Sequence, residues 1–178
     1  MRSWLVALLA LFAAVATAVA DAAATPQFDV IAALQNLRAG RNDDALALLT
    51  RAIESRALKS GELADALEWR AFLHAGRRNL RAARADLDAA IQAEGDNPLR
   101  YRARARLLMR GGDFRAALTD MDVVMARSPS DAENYTDLCE ILIGLGRRAE
   151  AIERCRSAIK VDPESARAKA MLRRTGGR

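Results

Sequence analysis

Few side chains in this 178-residue sequence could carry out covalent or acid–base chemistry. There is one histidine, His74, and there are two cysteines, Cys139 and Cys155. Metal and nucleophilic sites need several His, Cys or acidic residues at defined spacings, and nucleotide-binding enzymes carry glycine-rich phosphate loops. None of these patterns occurs, and the acidic residues are scattered. The sequence therefore predicts a protein that is not an enzyme, with no catalytic residue, no metal site and no cofactor.

The first twenty residues have the order of a secretory signal. Arg2 precedes an apolar run over residues 4–15, and Ala18-Val19-Ala20 then forms a small-residue cleavage site before Asp21. This predicts a signal peptide at 1–20, a mature domain at 21–175 and a periplasmic or secreted location. An uncleaved membrane anchor is the alternative. After cleavage no membrane span is expected, because the later apolar residues are periodic rather than continuous.

The charge pattern argues against a nucleic-acid partner. The net charge is +5, but basic residues alternate with acidic ones along the chain. Aromatic residues, which stack on bases, make up only 4% of the sequence. The expected partner is therefore a protein or peptide.

A repeat of 34 residues organises the chain. Equivalent small residues recur at Ala83, Ala117 and Ala151, and the same interval separates Pro129 from Pro163. An earlier copy lies 38 residues upstream, at Ala45. Its four extra residues are expected within 56–62.

The third copy combines Tyr101, Ala105, Leu108, Ala117 and Pro129 in one order, and the fourth repeats it. This pattern resembles the tetratricopeptide repeat family. The resemblance implies an all-α, right-handed α-α superhelix (solenoid) of about four helical hairpins with a capping helix. The expected repeats are 26–59, 64–97, 98–131 and 132–165, and the expected cap is 165–174. In this register His74 stands where the family usually has an aromatic, which indicates a core or half-buried imidazole.

Local signals agree with hairpins. A glycine marks the break between the two helices in three copies, at Gly40, Gly112 and Gly146. Ser130, with Glu133 three residues later, predicts a capping box at the start of the fourth copy.

Charged pairs recur inside the repeats. The second copy pairs Arg70 with Asp86, and the third pairs Arg104 with Asp120. In the fourth copy both partners are replaced together. We interpret these residues as ion pairs within each repeat that fix the register of its helices.

The two cysteines fall on the two helices of the fourth copy, in core-facing positions. A disulfide between Cys139 and Cys155 is one interpretation, and two buried free thiols are the other. Export to an oxidising compartment favours the disulfide.

In the tetratricopeptide repeat family the first helix of each repeat lines a concave groove that takes a peptide or a helix. The resemblance implies the same surface here. In the third copy Arg102, Arg106 and Arg110 recur every four residues. The candidate groove residues are Glu68, Trp69, Phe72, Arg102, Arg106, Arg110, Asp137 and Glu140.

Two interpretations of these groove residues remain open. The arginines either bind an acidic ligand or pair with acids of neighbouring repeats, and Trp69 either anchors an apolar ligand or packs between helices. Ala103 and Arg106 replace two asparagines with which some family members grip a C-terminal carboxylate, so the sequence departs from that mode.

These observations favour an exported adaptor that binds a protein or peptide partner in its groove and serves the assembly or regulation of a cell-envelope complex. The alternative is an architectural or self-associating subunit with no free groove. Neither the partner nor the oligomeric state follows from the sequence.

Overall fold

The computed structural model describes residues 25–95 and 97–177, which form nine α-helices and no strand. The predicted signal peptide, residues 1–20, lies outside these ranges. The helices are α1 (Pro26–Arg38), α2 (Asn42–Glu54), α3 (Ser60–Gly76), α4 (Leu80–Ala93), α5 (Pro98–Arg110), α6 (Phe114–Arg127), α7 (Ala132–Gly144), α8 (Arg148–Val161) and α9 (Ala166–Arg174).

Consecutive helices pair as hairpins, α1 with α2, α3 with α4, α5 with α6 and α7 with α8. The second helix of each hairpin also packs on the first helix of the next, and α9 lies against α8 and α7. This is the all-α repeat superhelix that the sequence predicted. None of the helices in the described ranges has the length and apolar character needed to cross a bilayer.

Alanine makes the close packing within each hairpin possible. The repeated positions Ala45, Ala83, Ala117 and Ala151 are all fully buried. A methyl side chain lets two helix backbones approach closely, so larger neighbours such as Leu49 and Met121 can fill the remaining space.

The irregular first interval is absorbed by one extra helical turn. Helix α3 has 17 residues, whereas α1, α5 and α7 have 13. The four additional residues continue α3 toward its N-terminus, within the segment where the insertion was expected. Because four residues are close to one turn, the face that α3 presents to its neighbours is preserved.

Cys139 and Cys155 form a disulfide between α7 and α8, with their α-carbons 5.3 Å apart. This confirms the disulfide interpretation over that of free thiols. Both residues are fully buried in the core of the last hairpin, so the bond crosslinks that hairpin from within.

The two predicted ion pairs are also confirmed. Arg70 donates to both carboxylate oxygens of Asp86, at 2.9 and 2.6 Å. Arg104 does the same to Asp120, at 2.8 and 2.7 Å. Because both aspartates are buried, these bidentate pairs satisfy charges that would otherwise be costly inside the protein.

The predicted capping box at Ser130 is wrong. The N-cap of α7 is Asp131, whose side chain accepts the backbone N–H of Glu133 at 2.9 Å. The Glu133 side chain instead accepts a hydrogen bond from Arg106 in the preceding repeat. Contact between repeats therefore overrides the local capping signal.

The turn inside each hairpin needs one residue in the left-handed region of backbone conformation. Gly40, Gly112 and Gly146 fill it in three copies, with φ of +73°, +81° and +73°. In the second copy Arg78 adopts the same conformation, at φ +60°. A side chain with a Cβ is strained there.

We expect Arg78→Gly to stabilise the protein by about 1 kcal/mol, because glycine relieves that strain. Gly112→Ala is the matched reverse change and should cost about 1 kcal/mol. An alanine Cβ at position 112 would meet no atom within 4 Å, so its cost would come from φ alone. Urea unfolding of the three proteins measures both effects. An Arg78→Gly variant no more stable than wild type would contradict the assignment.

Candidate functional site

An apolar pocket opens between α3 and α5, the first helices of the second and third repeats. Its volume is about 380 Å³. Trp69 and Phe72 stand at this pocket with 43% and 64% of their surface exposed, their rings edge to face at 6.4 Å. The other apolar lining residues are Ala71, Ala75, Leu87, Ala103 and Leu107. Trp69 therefore lines an open pocket.

Two of the three candidate arginines pair with the next repeat. Arg102 donates to Asp131 at 2.6 Å and to Asn134 at 3.2 Å. Arg106 donates to Glu133 and Asp137, both at 2.7 Å. The internal pairing considered from the sequence thus exists for Arg102 and Arg106, and it ties α5 to α7.

Asp137 is the centre of this polar network. Its side chain is fully buried, and its second oxygen lies 2.7 Å from Nη1 of Arg167 on α9. Arg167 also donates to Glu140, at 2.6 Å. A buried carboxylate flanked by two guanidinium groups keeps its charge balanced, so α5, α7 and α9 are held in one register.

This network changes the acidity of Glu133. The hydrogen bond from Arg106 lowers the pKa of the Glu133 carboxyl, although partial burial and the nearby Asp131 act in the opposite direction. The carboxylate therefore stays ionised, and paired with Arg106, to a lower pH than an ordinary glutamate.

Arg110 is the exception among the three arginines. Its side chain is exposed and donates one hydrogen bond, to the backbone carbonyl of Ala75 at 3.1 Å. Within the described part of the chain it has no carboxylate partner. The positions equivalent to Arg110 on the neighbouring first helices are Gly76 and Gly144, so neither helix offers a side chain there that could neutralise it.

Sequence reasoning missed the most buried arginine. Arg100, only 2% exposed, contacts Glu68 at 2.9 Å, Asp65 at 3.1 Å and the carboxylate of Glu94. The available signal was its place in the first turn of α5, where the helix dipole disfavours a positive charge. A basic residue there calls for acidic neighbours. Glu68, a candidate groove residue, is therefore already engaged by Arg100.

The remaining reactive residue has a structural setting. His74 is partly buried, with Nε2 3.9 Å from Asp86, beside the Arg70–Asp86 pair. Residues 25–95 and 97–177 contain no cluster of three or more His, Cys, Asp or Glu side chains suited to a metal ion.

Comparison with known proteins defines the class of this architecture. A family model described as tetratricopeptide repeat matches residues 108–174. The inactive TPR repeat-containing thioredoxin TTL3 of Arabidopsis thaliana is 30% identical over 78 residues, which are 44% of this chain but only 11% of that protein. The present chain therefore corresponds to about a tenth of that relative.

Two solved structures share the fold over most of the chain. MamA 41-end from Desulfovibrio magneticus RS-1 has a TM-score of 0.77 at 20% identity, covering 85% of this chain and 83% of that one. YrrB, described as a TPR protein with an unusual peptide-binding site, has a TM-score of 0.68 at 19% identity, covering 83% and 74%.

The hairpins, their stacking and the matched C-terminal repeats together define a helical-repeat solenoid. The chain belongs to the tetratricopeptide repeat family, as its 34-residue period predicted.

We expect Arg106→Glu to destabilise the protein by about 2 kcal/mol, because the new carboxylate would face the buried Asp137 and Glu133. Arg115→Glu is a matched control, since Arg115 is exposed on α6 and forms no salt bridge in the part of the chain described. Thermal unfolding at low salt compares the two variants. If both melted like wild type, the pairing of Arg106 would not contribute to stability.

Proposed function

We propose that this chain is an exported adaptor that binds a peptide segment of a protein partner in the groove formed by its first helices. The partner is a component of a cell-envelope complex, which the adaptor helps to assemble or regulate. The observation that carries the proposal is the exposed Trp69–Phe72 pair at the mouth of an apolar pocket.

Aromatic side chains in this position cost the free protein something. Apolar surface that could be buried stays in contact with water, and such clustered exposure often marks a binding surface. Trp is also the residue type most enriched among the anchors of protein interfaces. A pocket of about 380 Å³ can enclose one large apolar side chain of a ligand.

The comparisons add support of a general kind. A peptide-binding site is named for YrrB, which shares this fold at 19% identity. Tetratricopeptide repeats present their first helices as a continuous surface along the solenoid, which suits an extended segment of another chain.

Export rests on two independent features. The leader-like order of residues 1–20 directs a chain to a secretory route. The Cys139–Cys155 disulfide is of a kind that persists in oxidising compartments and is rare in a reducing cytosol.

We expect the native protein to begin at Asp21 or a few residues later, and its two cysteines to resist alkylation in denaturant until reductant is added. N-terminal sequencing and mass spectrometry of the unfolded, alkylated protein measure both. A soluble form that retained residues 1–20 with two alkylatable thiols would refute export. A membrane-bound form that retained them would instead support an uncleaved anchor.

A self-associating subunit remains the second candidate, because α1 leaves Phe28 and Ile31 exposed at one end of the solenoid. A second copy packed on that end would bury both side chains. Such a subunit would need no ligand in the groove.

We expect panning of a displayed peptide library on the mature protein to yield binders that Trp69→Ala weakens at least tenfold, because the indole is an interface anchor. Val161→Ala is the matched control, since Val161 is 48% exposed outside the pocket. Trp69 is the only tryptophan after residue 20, so its fluorescence reports binding directly.

Equal binding by both variants would remove Trp69 from the site. A library that gave no binder, together with a dimer in light scattering, would support the self-associating subunit instead.

A further inference from the structure

The charges around the Trp69–Phe72 pocket are unequally satisfied. Three ionisable residues line it, Glu68, Arg106 and Arg110. Glu68 accepts a hydrogen bond from Arg100, and Arg106 donates to Asp137 and Glu133. Arg110 alone among the three lacks an oppositely charged partner in the part of the chain that the structure describes.

The backbone around Arg110 explains this isolation. Each arginine of the third repeat could reach carboxylates on the flanking first helices, as Arg106 does. At the level of Arg110 the flanking residues are Gly76 and Gly144, and a Cβ built on Gly76 would meet no atom within 4 Å. Space is therefore left open beside the guanidinium on the α3 side.

Arg110 also has donors to spare. A guanidinium carries five N–H groups, and the structure records one hydrogen bond from Arg110, to the carbonyl of Ala75. Arg106, one helical turn earlier on the same face, is also positive, and like charges four residues apart repel each other. A carboxylate brought by a ligand would relieve this repulsion and engage the free donors.

We propose that the pocket recognises a peptide in which a large apolar side chain is closely accompanied by a carboxylate. The apolar side chain packs against Trp69 and Phe72, and the carboxylate pairs with Arg110. This inference rests on the proposed peptide-binding function. The carboxylate comes either from an acidic side chain or from the C-terminus of the partner.

One guanidinium with few competing cations suits a single carboxylate better than a polyanion. A phosphate group is usually held by several cations or by a helix N-terminus, whereas Arg106 and Arg102 are already committed to α7. The neighbouring apolar surface further requires that the ligand present a non-polar group beside its charge.

The test is an array of synthetic peptides on a Gly-Ser background, each with one Leu or Phe. One arm places Glu at one to four positions on either side of this anchor and has an amidated C-terminus. A second arm lacks Glu and ends in a free carboxylate at the same distances. The control arm carries Gln and an amidated C-terminus. Binding is measured by Trp69 fluorescence with wild type, Arg110→Gln and Arg115→Gln, which remove the same charge.

For wild type and Arg115→Gln, we expect peptides of at least one carboxylate arm to bind about tenfold more tightly than their Gln or amide counterparts. We expect Arg110→Gln to bind both kinds equally while keeping its affinity for the apolar control. The preference should shrink as salt is raised. The better of the two carboxylate arms identifies the source of the charge.

Equal binding of carboxylate and control peptides by wild type would overturn the proposal, as would a preference that survives Arg110→Gln. In both cases the anchored peptides still bind, so the proposed function stands. If no peptide of the array bound wild type while the displayed library gave binders, recognition would need other chemistry and this inference would be wrong. If neither gave a binder, the proposed function would fail with it.

Discussion

The structure depends on charge pairing between neighbouring first helices. Each repeat of a solenoid contacts only its neighbours, so the register between repeats must be fixed locally. Arg100 joins α5 to α3, Arg106 joins α5 to α7, and Arg167 joins α9 to α7. The alanine-rich core brings helices close together, but small apolar side chains specify their sliding position weakly. Directional guanidinium–carboxylate contacts add that specification.

The same pairing divides the groove into two parts. Toward the C-terminus, Asp137 and Glu140 are engaged by arginines of α5 and α9. Toward the N-terminus, the corresponding positions on α3 are Trp69 and Phe72, which have no charge to pair and remain exposed. The region with unsatisfied binding capacity is therefore the one around α3. Arg110 lies at its edge, where the network stops because the flanking residues are glycines.

Much of the fold follows from the sequence, because a period of 34 residues places small and large apolar side chains at fixed points of a hairpin. The same register located the disulfide and the Arg70–Asp86 and Arg104–Asp120 pairs. It could not identify partners across repeats, since these depend on side-chain reach between helices. Arg100 was missed for this reason, and Glu133 was placed in a local cap although it pairs with Arg106. For the candidate site, the sequence named the residues but not which of them were free.

The disulfide lies wholly within the fourth repeat, so it restrains only one end of the solenoid. Helix α9 covers that end as well. A chain of nearest-neighbour contacts frays from its least restrained end, which here is the α1–α2 hairpin. The next unit to open is the one that carries Trp69 and Phe72. A segment bound across α3 and α5 would oppose that opening by mass action. Resistance of the first two hairpins to proteolysis would then report directly on occupancy of the groove.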